Sequence, residues 1–130
     1  ALFKFTKNIL ENKKIELFNN GNHARDFTYI DDVVDGIFSI IYKPKKQQIP
    51  FNIFNIGNGN IKKLKEYIKL IEKNLNLKAK VKKLPLQLAD IKKTHSDISS
   101  LNLYNGYKPK VSIEVGVKRF VNWYKEYYKY

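Results

Sequence analysis

Apolar residues in this chain follow two spacings that alternate along it, and this alternation constrains the fold more than any other feature. Apolar residues three and four apart predict helices, and short alternating or continuous apolar runs predict strands. Helical spacing covers 1–12, 31–42, 61–75, 96–103 and the region from 112 onwards, and strand-like runs cover 15–18, 51–56 and 79–84. Helices that alternate with strands are typical of an α/β fold.

Polar residues predict where several of these elements begin. The Asn-Asn-Gly-Asn sequence at 19–22 predicts a turn, because Asn and Gly tolerate positive φ. Asp31 and Asp32 stand where a helix would take its amino-terminal cap, and Asn60 and Ser112 are placed to cap the helices that follow them.

Two apolar segments are predicted to lie deep inside the protein. Helix 31–42 carries apolar residues around so much of its circumference that we expect it to be buried on more than one side. The run Phe-Asn-Ile-Phe-Asn-Ile at 51–56 has the apolar content of an interior strand. Residues 43–50, between them, are expected to form a polar loop.

Length and composition predict one domain that spans residues 1–130. A chain of this length with 43% hydrophobic and 14% aromatic residues supports one modest core. It has no cysteine, which excludes disulfides and thiolate metal sites, and its two histidines cannot complete a zinc site alone. The amphipathic amino terminus contains Lys4 and Lys7, so we expect neither a signal peptide nor a membrane anchor, and a cytoplasmic location.

The formal net charge of +13 raises the alternative of a basic interaction module that binds nucleic acid or protein. The positive charge is nearly all lysine and is spread over every segment, whereas nucleic-acid surfaces favour arginine, which bonds phosphates and bases in a bidentate manner. We therefore expect no nucleic-acid partner, and a steep salt-dependent gel shift with DNA or RNA would favour the alternative.

The residue pattern contains no recognisable catalytic constellation. The glycine pair within 57–59 lacks the third glycine of a dinucleotide fingerprint. His23 and His95 have no pattern that joins them to a nucleophile, and both are expected to be surface histidines. Tyr104 and Lys108 are four residues apart, but a turn sequence between them breaks the helical register.

Arg25 is the strongest candidate for a binding residue. The chain has only one other arginine, Arg119, so position 25 is expected to need a planar guanidinium that can grip a phosphate through two bonds. The alternative is a structural ion pair between Arg25 and Asp31 or Asp32.

Five blocks of the chain together resemble the last third of bacterial UDP-glucuronate 4-epimerases, which are nucleotide-sugar epimerases of the extended short-chain dehydrogenase superfamily. The resemblance runs end to end, in the order found in that family. The blocks are ALFKFTKNIL at 1–10, RDFTYIDDVV at 25–34, NIGN at 55–58, LPLQ at 84–87 and GVKRFVNWY at 116–124. The resemblance implies a carboxyl-terminal, nucleotide-sugar-binding portion with a small sheet and about four helices, without the amino-terminal Rossmann core.

The resemblance also implies roles for individual residues. Arg25 matches the arginine that contacts the diphosphate of the UDP-sugar. The backbone around Glu16 and the ring of Phe18 match the platform for uracil. Leu2 is similar to the residue whose main chain borders the sugar nucleotide.

The loop 87–90 departs from the family pattern. It stands in the place of a Gln-Pro-Gly-Asp or Arg-Pro-Gly-Asp segment, but Leu88 and Ala89 replace the Pro-Gly pair. Asp90 matches the acid that contacts the ribose or supports the phosphate-binding arginine. Gln87 stands where some relatives carry a second arginine, and a neutral side chain there is expected to lower affinity for a diphosphate.

The family residues that bind NAD and carry the Tyr-x-x-x-Lys catalytic pair lie upstream of the matched portion. We therefore expect no cofactor in this chain, NAD in the full-length family, and no catalysis by this chain alone. The expected partners are a weakly bound UDP-sugar, the missing dinucleotide-binding domain, and a second copy of the chain in a dimer or swapped oligomer. No membrane partner is expected, and the sequence leaves the sugar specificity open.

Overall fold

The structure is a computed structural model that describes residues 1–41, 51–88 and 90–130. The polar loop predicted at 43–50 lies outside the described residues, as does Ala89. The described helices are α1 (Leu2–Leu10), α2 (Ile30–Ile41), α3 (Leu64–Leu75), α4 (Ser99–Asn105) and α5 (Ile113–Tyr128). The described strands are β1 (Lys14–Phe18), β2 (Ala24–Asp26), β3 (Ile61–Lys63) and β4 (Lys80–Leu84).

The described strands form two pairs, β1 with β4 and β2 with β3. β1 and β4 run parallel, with Lys14 opposite Lys80 and Phe18 opposite Leu84. β2 and β3 run antiparallel, with Ala24 opposite Lys63. The α/β class is confirmed, and the described part of the chain contains five helices where about four were expected.

The hydrophobic core lies between α1, α3, α5 and one face of β1. Side chains alternate along a strand, so β1 buries Ile15 and Leu17 and leaves Glu16 outside. The helices contribute the apolar stripes that their spacing predicts. The core residues are Phe5, Ile9, Ile15, Leu17, Tyr67, Ile68, Ile71, Leu75, Val117 and Val121.

The turn predicted at 19–22 is confirmed, and it carries the chain from β1 to β2. Asn19, Asn20 and Gly21 all have positive φ, at 48°, 51° and 70°. A Cβ at Gly21 would lie 2.9 Å from the Cγ of Lys65, so both the backbone and the packing favour glycine there. The turn brings the end of β1 close to β2.

The helix predicted from residue 61 begins instead at Leu64. Residues 61–63 pair with β2, and the Leu64 amide donates to the His23 carbonyl at 2.8 Å. Lys63 stands at the cap position, so the prediction of Asn60 as the cap is wrong. Three-residue strands leave too short a pattern for periodicity to detect, which is why β2 and β3 were not predicted.

Two predicted elements near the carboxyl end are present with small shifts. The helix expected at 96–103 runs from Ser99 to Asn105, and Asp97 lies just before it, where its carboxylate accepts from the Ser99 amide at 2.9 Å. The hydroxyl of Ser112 accepts from the Val115 amide at 3.3 Å, which confirms Ser112 as the cap of α5.

Segment 51–56 is not a strand in the structure, so that prediction is wrong. A strand needs a neighbour to satisfy its backbone, and none of the described strands pairs with this segment. Phe51 is 67% exposed and Ile53 is 81% exposed.

The α2 helix is buried on one side only, which corrects the expectation that it is enclosed. Gly36 on its inner side faces Ile56 and Tyr107. The outer side leaves a row of apolar side chains in solvent, and we call this row together with 51–53 the α2 face. Its exposed residues are Ile30, Val34, Ile37, Phe38, Ile41, Phe51 and Ile53.

The two carboxylates predicted to cap α2 make longer-range contacts. Asp32 is 2% exposed and accepts hydrogen bonds from the backbone amides of Lys110 at 2.8 Å and Val111 at 3.1 Å. Asp31 lies on the surface and pairs with Arg119 at 3.0 Å. Asp32 therefore fastens α2 to the segment that leads into α5. No helix in 1–41, 51–88 or 90–130 has the length and apolar content to cross a membrane.

We predict that Asp32→Asn destabilises the fold far more than Asp31→Asn. Asparagine keeps one acceptor oxygen and places an amide against a backbone donor, so we expect a loss of about 1–3 kcal/mol in the free energy of unfolding. The exposed Asp31 pair should contribute less than about 1 kcal/mol. Urea denaturation of the two variants measures the difference, and equal midpoints would contradict the anchoring role of Asp32.

Candidate functional site

The structure gathers four of the six predicted site residues around one open cavity of about 270 Å³. Glu16 and Phe18 reach it from β1, Arg25 from β2, and Asp90 from the loop after β4. Lys4 of α1 and His23, just before β2, also line it. We call this the Arg25 cavity.

Arg25 is held in the cavity by two hydrogen bonds. Its Nη2 donates to Oδ1 of Asp90 at 3.0 Å, and its Nη1 donates to the Ala24 carbonyl at 3.0 Å. A guanidinium has five N–H donors, so contacts with the described residues leave three for a ligand. The Arg25 and Asp90 side chains are 27% and 29% exposed, which keeps the pair open to solvent.

The alternative in which Arg25 pairs with Asp31 or Asp32 is wrong. Asp31 pairs with Arg119, whose guanidinium also lies 5.5 Å from the centre of the Tyr29 ring. Asp32 bonds to backbone amides of the segment before α5.

His23 is buried, which corrects the expectation of a surface histidine. Only 3% of the residue is exposed, and its Nε2 lies 3.2 Å from Oδ2 of Asp90 without the geometry of a hydrogen bond. The Asp90 carboxylate thus stands between His23 and Arg25. Burial of His23 follows from the turn and from the pairing around β2, and no local pattern in the sequence signals it. His95 is exposed, as predicted.

Phe18 and Glu16 occupy different positions on β1. Glu16 projects from the exposed face of the strand, and Phe18 ends the strand half-buried, beside the turn that leads to β2. An aromatic ring at the wall and a guanidinium across the same cavity provide one apolar surface and one cationic group.

Leu2 and Gln87 lie outside the Arg25 cavity. Leu2 lines a separate apolar cavity of about 80 Å³ beside Phe27 and Tyr67, whose rings stack 4.0 Å apart. Burial raises the pKa of the Tyr67 phenol. Gln87 is exposed, and its carbonyl accepts from the Asp90 amide at 3.1 Å. Gln87 therefore helps to close the turn that presents Asp90.

Asp26 is a structural anchor that the sequence did not reveal. Its Oδ1 accepts from the Asn58 amide at 3.0 Å, and its Oδ2 accepts from the amides of Gly59 at 2.9 Å and Ser96 at 3.1 Å. One carboxylate therefore fixes two loops to β2.

The glycine pair at 57–59 does not fit a dinucleotide. Two of the backbone N–H groups that could cradle a phosphate already point at Asp26. A Cβ at Gly57 would lie 2.3 Å from the Cβ of Ser96, so this glycine is required by packing against the neighbouring loop. Within 1–41, 51–88 and 90–130, no group of three or more His, Cys, Asp or Glu side chains could hold a metal ion.

We predict that Gly57→Ala destabilises the protein and that Ser96→Gly relieves the effect. The added methyl group strikes the Ser96 side chain and forces the two loops apart, at a cost of about 1–3 kcal/mol. In the double variant the obstructing Cβ is gone, so most of the lost stability should return. Thermal unfolding of the four proteins in this cycle measures the coupling, and additive losses would contradict it.

A sequence model of the NAD dependent epimerase/dehydratase family matches residues 1–57. An uncharacterized protein of Methanocaldococcus jannaschii is 54% identical over 97% of this chain, which spans 37% of that protein. UDP-glucuronate 4-epimerase 5 of Arabidopsis thaliana is 39% identical over 98% of the chain, which spans 32% of it. The chain therefore spans about a third of the length of these relatives.

The fold is similar to part of a solved epimerase structure. UDP-glucuronic acid 4-epimerase from Bacillus cereus, solved in complex with UDP-glucuronic acid and NAD, matches 98% of this chain with a TM-score of 0.88 and 30% identity. The match covers 40% of that protein. Residues 1–57 thus carry a match to the epimerase/dehydratase family, and the α/β fold of the chain matches part of an extended short-chain dehydrogenase fold.

Proposed function

We propose that this chain is the nucleotide-sugar-binding portion of an NAD-dependent UDP-glucuronate 4-epimerase, and that the Arg25 cavity receives the UDP-sugar. The observation that carries the proposal is the meeting of Arg25, Phe18 and Asp90, which come from three separate segments, around one cavity. The similarity to UDP-glucuronate 4-epimerases supports the choice of ligand.

In this proposal each wall of the cavity recognises a different part of the ligand. The free N–H donors of Arg25 bond to the diphosphate, because a guanidinium fork matches phosphate oxygens in charge and geometry. The Phe18 ring and the backbone near Glu16 receive the uracil. Asp90 holds Arg25 in place through the 3.0 Å bond. We also propose that Asp90 contacts the ribose.

We assign no step of the sugar chemistry to this chain. NAD supplies hydride transfer in enzymes of this kind. Half of a binding cleft buries and orients its ligand poorly, so we expect the chain alone to bind UDP-glucuronate with a dissociation constant in roughly the millimolar range.

We further propose that the α2 face packs against the dinucleotide-binding part of the complete enzyme. Ile37 is 45% exposed, Phe38 is 48% exposed and Ile41 is 61% exposed, on a helix whose other side is buried. A contiguous apolar row of this kind usually marks an interface. In the chain alone, the same face is available for dimerisation or strand exchange.

Arg25→Ala tests the proposed site, with Arg119→Ala as the matched control. Loss of the charged hydrogen bonds should weaken UDP-glucuronate binding at least about tenfold, into the undetectable range. Arg119 bonds to Asp31 on the surface, so its loss should leave binding unchanged. NMR titration of each variant with UDP-glucuronate measures both affinities. Binding that survives Arg25→Ala would rule out the assignment of Arg25.

Ile37→Lys tests the proposed interface. Light scattering of the unmodified chain should show an average mass that rises with concentration, because the exposed row can pair with a second copy. A charge at Ile37 should reduce this association, whereas Leu77→Lys, at an exposed apolar residue beyond α3, should not. A clean monomer at high concentration would contradict the prediction.

A further inference from the structure

We propose that Lys4 supplies the second positive charge that a diphosphate needs in the Arg25 cavity. This inference rests on the proposed function and adds to it a ligand-binding residue that is not among the six predicted site residues. It follows from the charges that surround the cavity.

The formal charges of the lining side chains cancel before any ligand arrives. Arg25 and Lys4 are positive, and Glu16 and Asp90 are negative. Asp90 already takes one bond from Arg25. A diphosphate brings a negative charge on each phosphate into this setting, so Arg25 alone leaves the ligand's charge uncompensated.

Two other candidates for the second charge do not serve. Gln87, at the position where some relatives carry arginine, is neutral, exposed and outside the cavity. His23 is 3% exposed, and its Nε2 lies 3.2 Å from the Asp90 carboxylate, so it is not exposed to the open cavity. Neither Gln87 nor His23 therefore supplies a second cation to the cavity.

Lys4 has the position and the freedom that the role requires. It lies in the first turn of α1, lines the cavity and is exposed. Among the described residues no carboxylate lies within ion-pair distance of its ammonium, whereas Lys7 lies 3.9 Å and Lys13 lies 2.7 Å from carboxylate oxygens of Glu11.

The unfavourable electrostatic energy of a lysine at the start of α1 also supports a role in anion binding. The first turn of α1 contains no acidic residue, and a positive charge at a helix amino terminus opposes the helix dipole. A bound anion would offset that cost. The long flexible stem of lysine also lets its ammonium reach a phosphate as a point charge, without the fixed geometry that Arg25 supplies.

The test compares Lys4→Gln with Lys7→Gln and uses two ligands, UDP-glucuronate and uridine. The two substitutions remove the same charge one helical turn apart, but Lys7 does not line the cavity. In NMR titrations of the chain, Lys4→Gln should weaken UDP-glucuronate binding about threefold to tenfold and leave uridine binding within about twofold. Lys7→Gln should change neither by more than about twofold.

Each of the following four results would overturn the inference. Equal losses in the two variants would show a general effect of net charge. Equal losses for UDP-glucuronate and uridine would show that Lys4 acts on the base or on packing. Unchanged binding in Lys4→Gln, with binding still dependent on Arg25, would reject Lys4 and keep the proposed site. If Arg25→Ala also has no effect, the proposed function fails and the role of Lys4 falls with it.

Discussion

The ion pair between Arg25 and Asp90 is the contact on which the site depends, because it joins β2 to a loop 65 residues further along the chain. Asp26, the next residue in β2, instead anchors two loops. Successive side chains of a strand point to opposite sides. Arg25 therefore lines the cavity while Asp26 accepts three backbone amides from the loops at 58–59 and 96. The Arg-Asp pair therefore places a proposed binding group and a structural anchor in two consecutive residues.

The five helices, strands β1 and β4, the turn at 19–22 and the Ser112 cap could be predicted from sequence, because each depends on local spacing or on a residue's own backbone preference. The failures come from partners that are distant in sequence. Segment 51–56 has the apolar content of a strand but no neighbouring strand in the described residues. Asp32 has the position of a cap but bonds to amides 78 and 79 residues away.

The candidate site, too, was predicted only in part from the sequence. The family resemblance identified Glu16, Phe18, Arg25 and Asp90, which share one cavity. It could not place Leu2, which lies beside a second, apolar cavity, or Gln87, whose backbone closes a turn while its side chain faces solvent. The burial of His23 and the free charge of Lys4 depend on how four segments meet, so they became visible only in three dimensions.

The central claim is that Arg25 bonds to the diphosphate of a UDP-sugar, and the side-chain Nε–H signals of the chain test it most directly. Two arginines give two such signals in a nitrogen–proton NMR spectrum. Addition of UDP-glucuronate should shift the Arg25 signal and leave the Arg119 signal in place, since Arg119 remains bonded to Asp31 on the surface. An Arg25 signal that stays fixed while the ligand shifts other parts of the chain would contradict the account.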